Sequence, residues 1–152
     1  MKTIVVEGSV EAPIDVVWGL LADARNYQRW AAMRSSALEK TGESTEDGVG
    51  AIRRFGTWPI FSREEVVEFN PPHKLSYVLL SGLPVVNYRA DVDLRDDSAG
   101  TAIRWSASFD VRRRWLAIPM RAFLSFILKD FVRRLTKEAA AKVAAAKANR
   151  VV

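Results

Sequence analysis

Two adjacent carboxylates, Glu64 and Glu65, are the groups in this sequence whose type and setting most suggest chemistry. They lie in SREEVVEF (62–69), a run whose apolar residues read as a β-strand. Side chains alternate across a strand, so the two point to opposite faces. In phase with Val67 and Phe69, Glu65 is expected to face inward and Glu64 outward. A carboxylate turned into a core is costly unless it is paired. Arg53, one strand earlier, is the expected partner, and Arg54 takes that place if the phase differs. Such a pair has two uses: as a polar anchor or a general base with a raised pKa, or as a structural ion pair that fixes strand register.

Three polar-tipped aromatics, Tyr77, Tyr88 and Trp105, fall on inward phases of later strands. Each offers an apolar body and one hydrogen-bonding tip. In a pocket they would orient a carbonyl or hydroxyl of a flat or greasy ligand, and in a dry core they would find backbone partners. Phe55, Leu79 and Phe109 share these inward phases, and Phe123 and Ile127 are expected to face them from a helix. Trp30 belongs either at a pocket mouth or as a plug between helix and sheet. If turnover occurs, Glu65, Tyr88 and Arg53 are the candidate catalytic set. The single histidine, His73, follows Asn70-Pro71-Pro72 in a turn and reads as an exposed loop residue. With one His and no Cys, the sequence offers no zinc set and no thiolate chemistry. Gly48-x-Gly50 precedes a strand and not a helix, so it is not a phosphate loop. No cofactor is expected.

Positioning these groups requires a sheet. Residues 3–10 put Ile4, Val6 and Val10 on one face. Pro13 and Asp15 open a short helix through Leu21, and Asp23 caps a second that ends near Trp30. Strands are then expected over 34–41, 50–56, 62–69, 74–81, 85–94 and 101–111, joined by short polar or proline-rich turns. Trp58-Pro59-Ile60-Phe61 is an unusually apolar connection. It could gate a pocket, touch a membrane, form an interface or fold back on the domain. From Trp115 the period turns helical, with Leu116, Met120, Leu124, Ile127, Leu128, Phe131 and Leu135 in a stripe. The helix is expected over 115–147, its last turns fraying in an alanine- and lysine-rich tail.

Charge is divided unevenly. Residues 111–152 hold 11 Lys and Arg against 2 Asp and Glu, whereas residues 1–110 hold 12 against 16. The basic last helix, with Arg133, Arg134 and Lys137 expected exposed, suits an anionic membrane surface or simply keeps itself dissolved. Arg112-Arg113-Arg114 just ahead of it read as solvated charge or as a contact for an anionic partner. Nucleic acid is a poor fit, because the aromatics are phased inward and not displayed beside the cations. The N-terminus lacks the long apolar core of a signal peptide, and Pro119 and Arg121 break the longest apolar run. A cytoplasmic protein is expected, its oligomeric state open.

Seven strands with one apolar face need a cover, and the last helix is the element long enough to supply it. The expected fold is α+β. A seven-stranded curved antiparallel sheet, with two short helices after its first strand, wraps a long C-terminal helix in one domain, 1–152. The stretch APIDVVWGLLADARNYQRW (12–30) resembles the opening of the START-like superfamily. GAIRRFG, REEVVEFNPPHKLSYVLL and GTAIRWSASF resemble its polyketide cyclase/dehydrase-like branch, the SRPBCC group. The resemblance covers nearly the whole chain. It implies the helix-grip fold and a cavity for a small hydrophobic molecule between sheet and helix, lined by the inward residues named above. It does not imply an enzyme, because the superfamily mixes carriers, cyclases, chaperone activators and receptors. Ligand binding is the leading expectation, and a cyclase or dehydratase using the same pocket is the alternative.

Overall fold

Alternation along nearly every predicted strand yields a strand in the structure, a computed structural model that describes residues 1–151. Val152, the last residue of the expected domain, lies outside the described residues. The strands are β1 (Lys2–Val10), β2 (Ser35–Lys40), β3 (Ile52–Thr57), β4 (Ile60–Asn70), β5 (Lys74–Ser81), β6 (Val86–Asp96) and β7 (Thr101–Asp110). Among the described residues they form one sheet in the order β1-β7-β6-β5-β4-β3-β2, and every neighbouring pair is antiparallel. Consecutive hairpins build β2 to β7, and β1 closes against β7. This is the expected helix-grip architecture.

The sheet curves because several strands carry an extra residue. Register slips at Glu39 in β2, Val67 in β4, Leu80 in β5 and Asn87 in β6. Each such bulge bends its strand and increases the local twist. At Asn87 the backbone takes a left-handed conformation, φ 54°, which asparagine tolerates better than most residues.

Helices α1 (Ile14–Ala22) and α2 (Tyr27–Trp30) follow β1, joined by a 3₁₀ turn (Ala24–Asn26) whose second amide, on Arg25, is capped by the Asp23 carboxylate at 3.1 Å. The long helix α3 runs Ala117–Arg150 after a 3₁₀ turn over Arg114–Leu116. It therefore starts slightly later than the 115 expected and continues past 147. Pro119 sits in its first turn, where a missing N–H breaks no helical bond.

The buried stripe of α3 is Leu124, Leu128, Val132, Leu135 and Ala139. Met120, Ile127 and Phe131, expected in that stripe, are only half-buried. The difference follows from where the helix lies. Its close neighbours are β1 and α1, with β7 and α2 alongside, and it stands off from β3, β4 and β5. Gly8 permits the close approach. A Cβ there would come within 2.6 Å of Val132 Cγ1, and a β-branched side chain has little freedom to move aside. Gly8→Ala is therefore expected to destabilise the domain by about 1–3 kcal/mol, the usual range for overpacking. Urea unfolding measures this, and an unchanged midpoint would mean that α3 does not press on β1.

Candidate functional site

Arg53 is the centre of the interior. It alternates inward from β3 and is 1 % exposed, which makes it one of the largest wholly buried side chains. Its Nη2 donates to Glu64 Oε2 at 2.8 Å, and its Nη1 donates to the Tyr27 hydroxyl at 3.3 Å. The Tyr27 hydroxyl in turn donates a hydrogen bond to the Leu21 carbonyl at 2.6 Å. Three rings surround the guanidinium, with centroids 4.8 Å (Tyr77), 5.2 Å (Phe55) and 5.3 Å (Tyr27) from its central carbon. Cation–π attraction is strongest where water is excluded, as it is here. Trp105 Nε1 donates to the Tyr77 hydroxyl at 3.2 Å, and Tyr88 stands beside Tyr77.

The inward carboxylate is Glu64 and not Glu65. Glu64 lies directly across from Arg53, and Val66 lies across from buried Tyr77. Glu65 pairs with Ile52 and Val78 on the outer face. The expected phase fails because Val67 is the extra residue of a bulge. Phe69 does face inward, packing on Trp18, but the alternation cannot be carried back across Val67. Glu65, Tyr88 and Arg53 therefore do not assemble as a catalytic set. Arg54, the alternative partner, lies on the outer face over Phe61.

Burial sets the electrostatics. It pushes the Glu64 carboxyl above its ordinary range, against the pull of Arg53. Burial also pulls the guanidinium down, but Tyr27, Glu64 and Tyr77 outweigh that and leave it raised, so it stays charged. The pair is thus a buried salt bridge whose carboxylate is 12 % exposed. One buried donor, Arg53 Nε, has no acceptor among the described residues.

Where α3 stands off from the sheet, a cavity of about 200 Å³ opens. Its walls are Phe55 and Ser62 from β3 and β4, Ile60 at the rim, Leu83 from the β5–β6 loop, and Phe123, Ile127 and Phe131 from α3. Phe55, Phe123 and Ile127, named from the sequence, stand in its walls. Tyr77, Tyr88 and Trp105, expected in the lining, stand deeper as a packed cluster, with Trp105 5.4 Å from Phe131. Phe109 is wholly buried in β7, and Leu79 is half-buried across from Glu64. Trp30 is a plug, buried between Tyr27 and Phe131 with its indole N–H on the Leu20 carbonyl at 3.1 Å. Trp58 and Ile60 do not fold back and are 81 % and 69 % exposed. His73 is exposed in its turn, as expected. Tyr27 was given no role from sequence, although its spacing of three from Trp30 puts both on one helical face.

A family model described as polyketide cyclase/dehydrase and lipid transport matches residues 1–146. Among curated proteins none matches the sequence. Solved structures of similar shape include XoxI of Bacillus cereus, 20 % identical over 91 % of this chain and 95 % of that one, TM-score 0.71. A Thermobifida fusca protein is 23 % identical over 90 % and 95 %, TM-score 0.72. Ara h 8.0201 is 11 % identical over 92 % and 98 %, TM-score 0.76. At such identities these likenesses establish the fold alone.

Two outcomes follow from the cluster. Glu64→Gln leaves a buried guanidinium uncompensated and is expected to cost about 3–5 kcal/mol, whereas Glu65→Gln should stay within about 0.5 kcal/mol. Urea unfolding of the two variants compares them directly, and the reverse order would place Glu65 inside. All three tyrosines of the chain are buried. Burial pushes Tyr27 up to about 12 and raises Tyr77 and Tyr88 as well. The fold favours the neutral phenols, so the stability that Tyr27 contributes is whole below pH about 10 and is lost as pH climbs through about 12, and Tyr77 and Tyr88 act in the same direction. An ultraviolet titration should therefore show no tyrosinate at the ordinary value, and ionisation should accompany unfolding. A normal titration of one tyrosine in the folded state would contradict this packing.

Proposed function

Because the chain belongs to the polyketide cyclase/dehydrase and lipid-transport family, we propose that it binds a small, mostly apolar molecule between α3 and the β3–β4 side of the sheet. The observation that carries this reading is the gap itself. The helix packs on one half of the sheet and leaves apolar side chains facing one another across the other half. A volume of about 200 Å³ is below the roughly 300–1,000 Å³ of ordinary small-ligand sites. A larger ligand enters by moving the first turns of α3 further from the sheet. Little resists this, because Phe123 and Ile127 are only partly covered.

The polar end of the ligand points inward. Ser62 lines the cavity, and Glu64 is the next inward residue on β4. Arg53 and Glu64 lie one ring behind the wall, since Phe55 both stacks on Arg53 and faces the cavity. A hydroxyl or carbonyl on an otherwise apolar body suits this arrangement. Binding is favoured over cyclase or dehydratase turnover because the inward carboxylate is tied to Arg53 and does not itself line the cavity. The arginines just ahead of α3 support a second contact, with an anionic membrane surface.

The test is a titration with a neutral fluorescent probe, N-phenyl-1-naphthylamine. One saturable site is expected. Ile127→Trp, which fills the cavity, should weaken it at least tenfold, about 1.4 kcal/mol, with melting nearly unchanged. Equal binding by the variant would place the site elsewhere.

A further inference from the structure

We infer that the open end of this molecule docks on the surface of an anionic lipid bilayer. Three segments meet there. Ile60, at the β3–β4 turn, and Leu83, in the β5–β6 loop, both wall the cavity with Phe123. Leu83 also borders a depression shared with Arg112, Arg113 and Leu116 from the link into α3. The rim is therefore continuous from the β3–β4 turn to the start of the long helix.

The side chains these segments turn outward are large and apolar. Trp58, Ile60, Trp115, Ile118 and Phe126 are all at least two-thirds exposed. Five such residues on adjoining segments are far more than scattered surface hydrophobics require. Their charge surroundings select the partner. Residues 111–129 hold Arg112, Arg113, Arg114, Arg121 and Lys129, and no Asp or Glu. The β3–β4 turn with its flanking strand ends (57–62) and the β5–β6 loop with the end of β5 (81–85) carry no charged residue. None of those five cations makes an ion pair among the described residues.

The basic patch expected from the sequence lies further along α3 and is weaker. Asp130 pairs with both Arg133 and Arg134. Lys137 is unpaired too, but it borders a depression with Arg29 and Trp30, whereas Arg112 and Arg113 border the one shared with Leu83.

Tryptophan at the tip, aliphatic side chains beside it and unpaired arginines around it match the layers of a bilayer interface. Indole rings settle at headgroup depth, apolar side chains reach the acyl boundary, and arginines meet anionic headgroups while their stems lie along apolar surface. A nucleic acid would use the arginines but leave Ile60, Ile118 and Phe126 in water. In this orientation the cavity opens toward the membrane. Docking uses the outside of the rim and ligand binding its inside, so each can fail without the other.

The experiment is co-sedimentation with phosphatidylcholine vesicles, with and without about one-third phosphatidylglycerol. Binding is expected to the anionic vesicles only, and to weaken as salt rises. The triple change Arg112→Gln, Arg113→Gln, Arg114→Gln should weaken it roughly a hundredfold. Trp115→Ser with Ile118→Ser should weaken it at least tenfold. Arg133→Gln with Lys137→Gln should change it less than about threefold. All these side chains are exposed, so melting should hold, and binding of the neutral probe should persist in every variant. For the unaltered protein, lipids brominated near the headgroup should quench tryptophan emission. Equal binding to neutral vesicles would overturn the proposal. So would loss of binding through Arg133 and Lys137 alone, or a dimer in sedimentation equilibrium that the Trp115 and Ile118 changes dissolve without any vesicle binding.

Discussion

A guanidinium that is 1 % exposed imposes its needs on everything around it. Arginine does not lose its proton in proteins, so the interior must supply charge, acceptors and polarisable surface at that one place. Glu64 supplies the charge, the Tyr27 hydroxyl an acceptor, and Tyr27, Phe55 and Tyr77 the rings. These residues come from α2, β3, β4 and β5. One side chain therefore ties the short helices to the far half of the sheet, the half that α3 does not cover. The tie extends further, since Tyr27 reaches the Leu21 carbonyl and Tyr77 receives the Trp105 indole.

The two halves of the sheet are thus held by different forces. On the β1–β7 side, apolar contact with α3 does the work, drawn close by the missing side chain of Gly8. On the β3–β5 side, the polar cluster does it. The first turns of α3 belong to neither. Leu124 is the earliest wholly buried residue of the helix, and ahead of it Ile118 and Phe123 remain exposed. An element anchored along its length but free at one end is well suited to admit a ligand, because opening there breaks few buried contacts.

Much of this was legible in the residues. Alternation placed each strand, and the period change near Trp115 placed the helix, because both patterns follow from which side chains must leave water. Arg53 as the inward arginine was legible too, since β3 keeps strict alternation from Ala51 to Phe55. Glu64 was not. A bulge inserts one residue without any required change in residue type, and Val67 looks like any strand valine. The same limit hid the depth of Tyr77, Tyr88 and Trp105. Phase tells which face a side chain takes, but not whether a helix or a cavity lies over it. The offset of α3 toward β1 depends on one glycine contact far from these rings in sequence.

A buried ion pair is a weak way to gain stability. Well-packed apolar side chains of similar size are commonly as good or better, because the desolvation of both ions offsets their attraction. Stability alone therefore does not account for Arg53 and Glu64. Their position does more. They lie behind Phe55, whose ring walls the cavity, and Ser62 leads from that cavity toward Glu64 along the same inner face. An apolar core could hold β3 and β4 together equally well, but it could not offer polarity at the inner end of an apolar gap. That polarity is what would distinguish a ligand with one oxygen from a plain hydrocarbon.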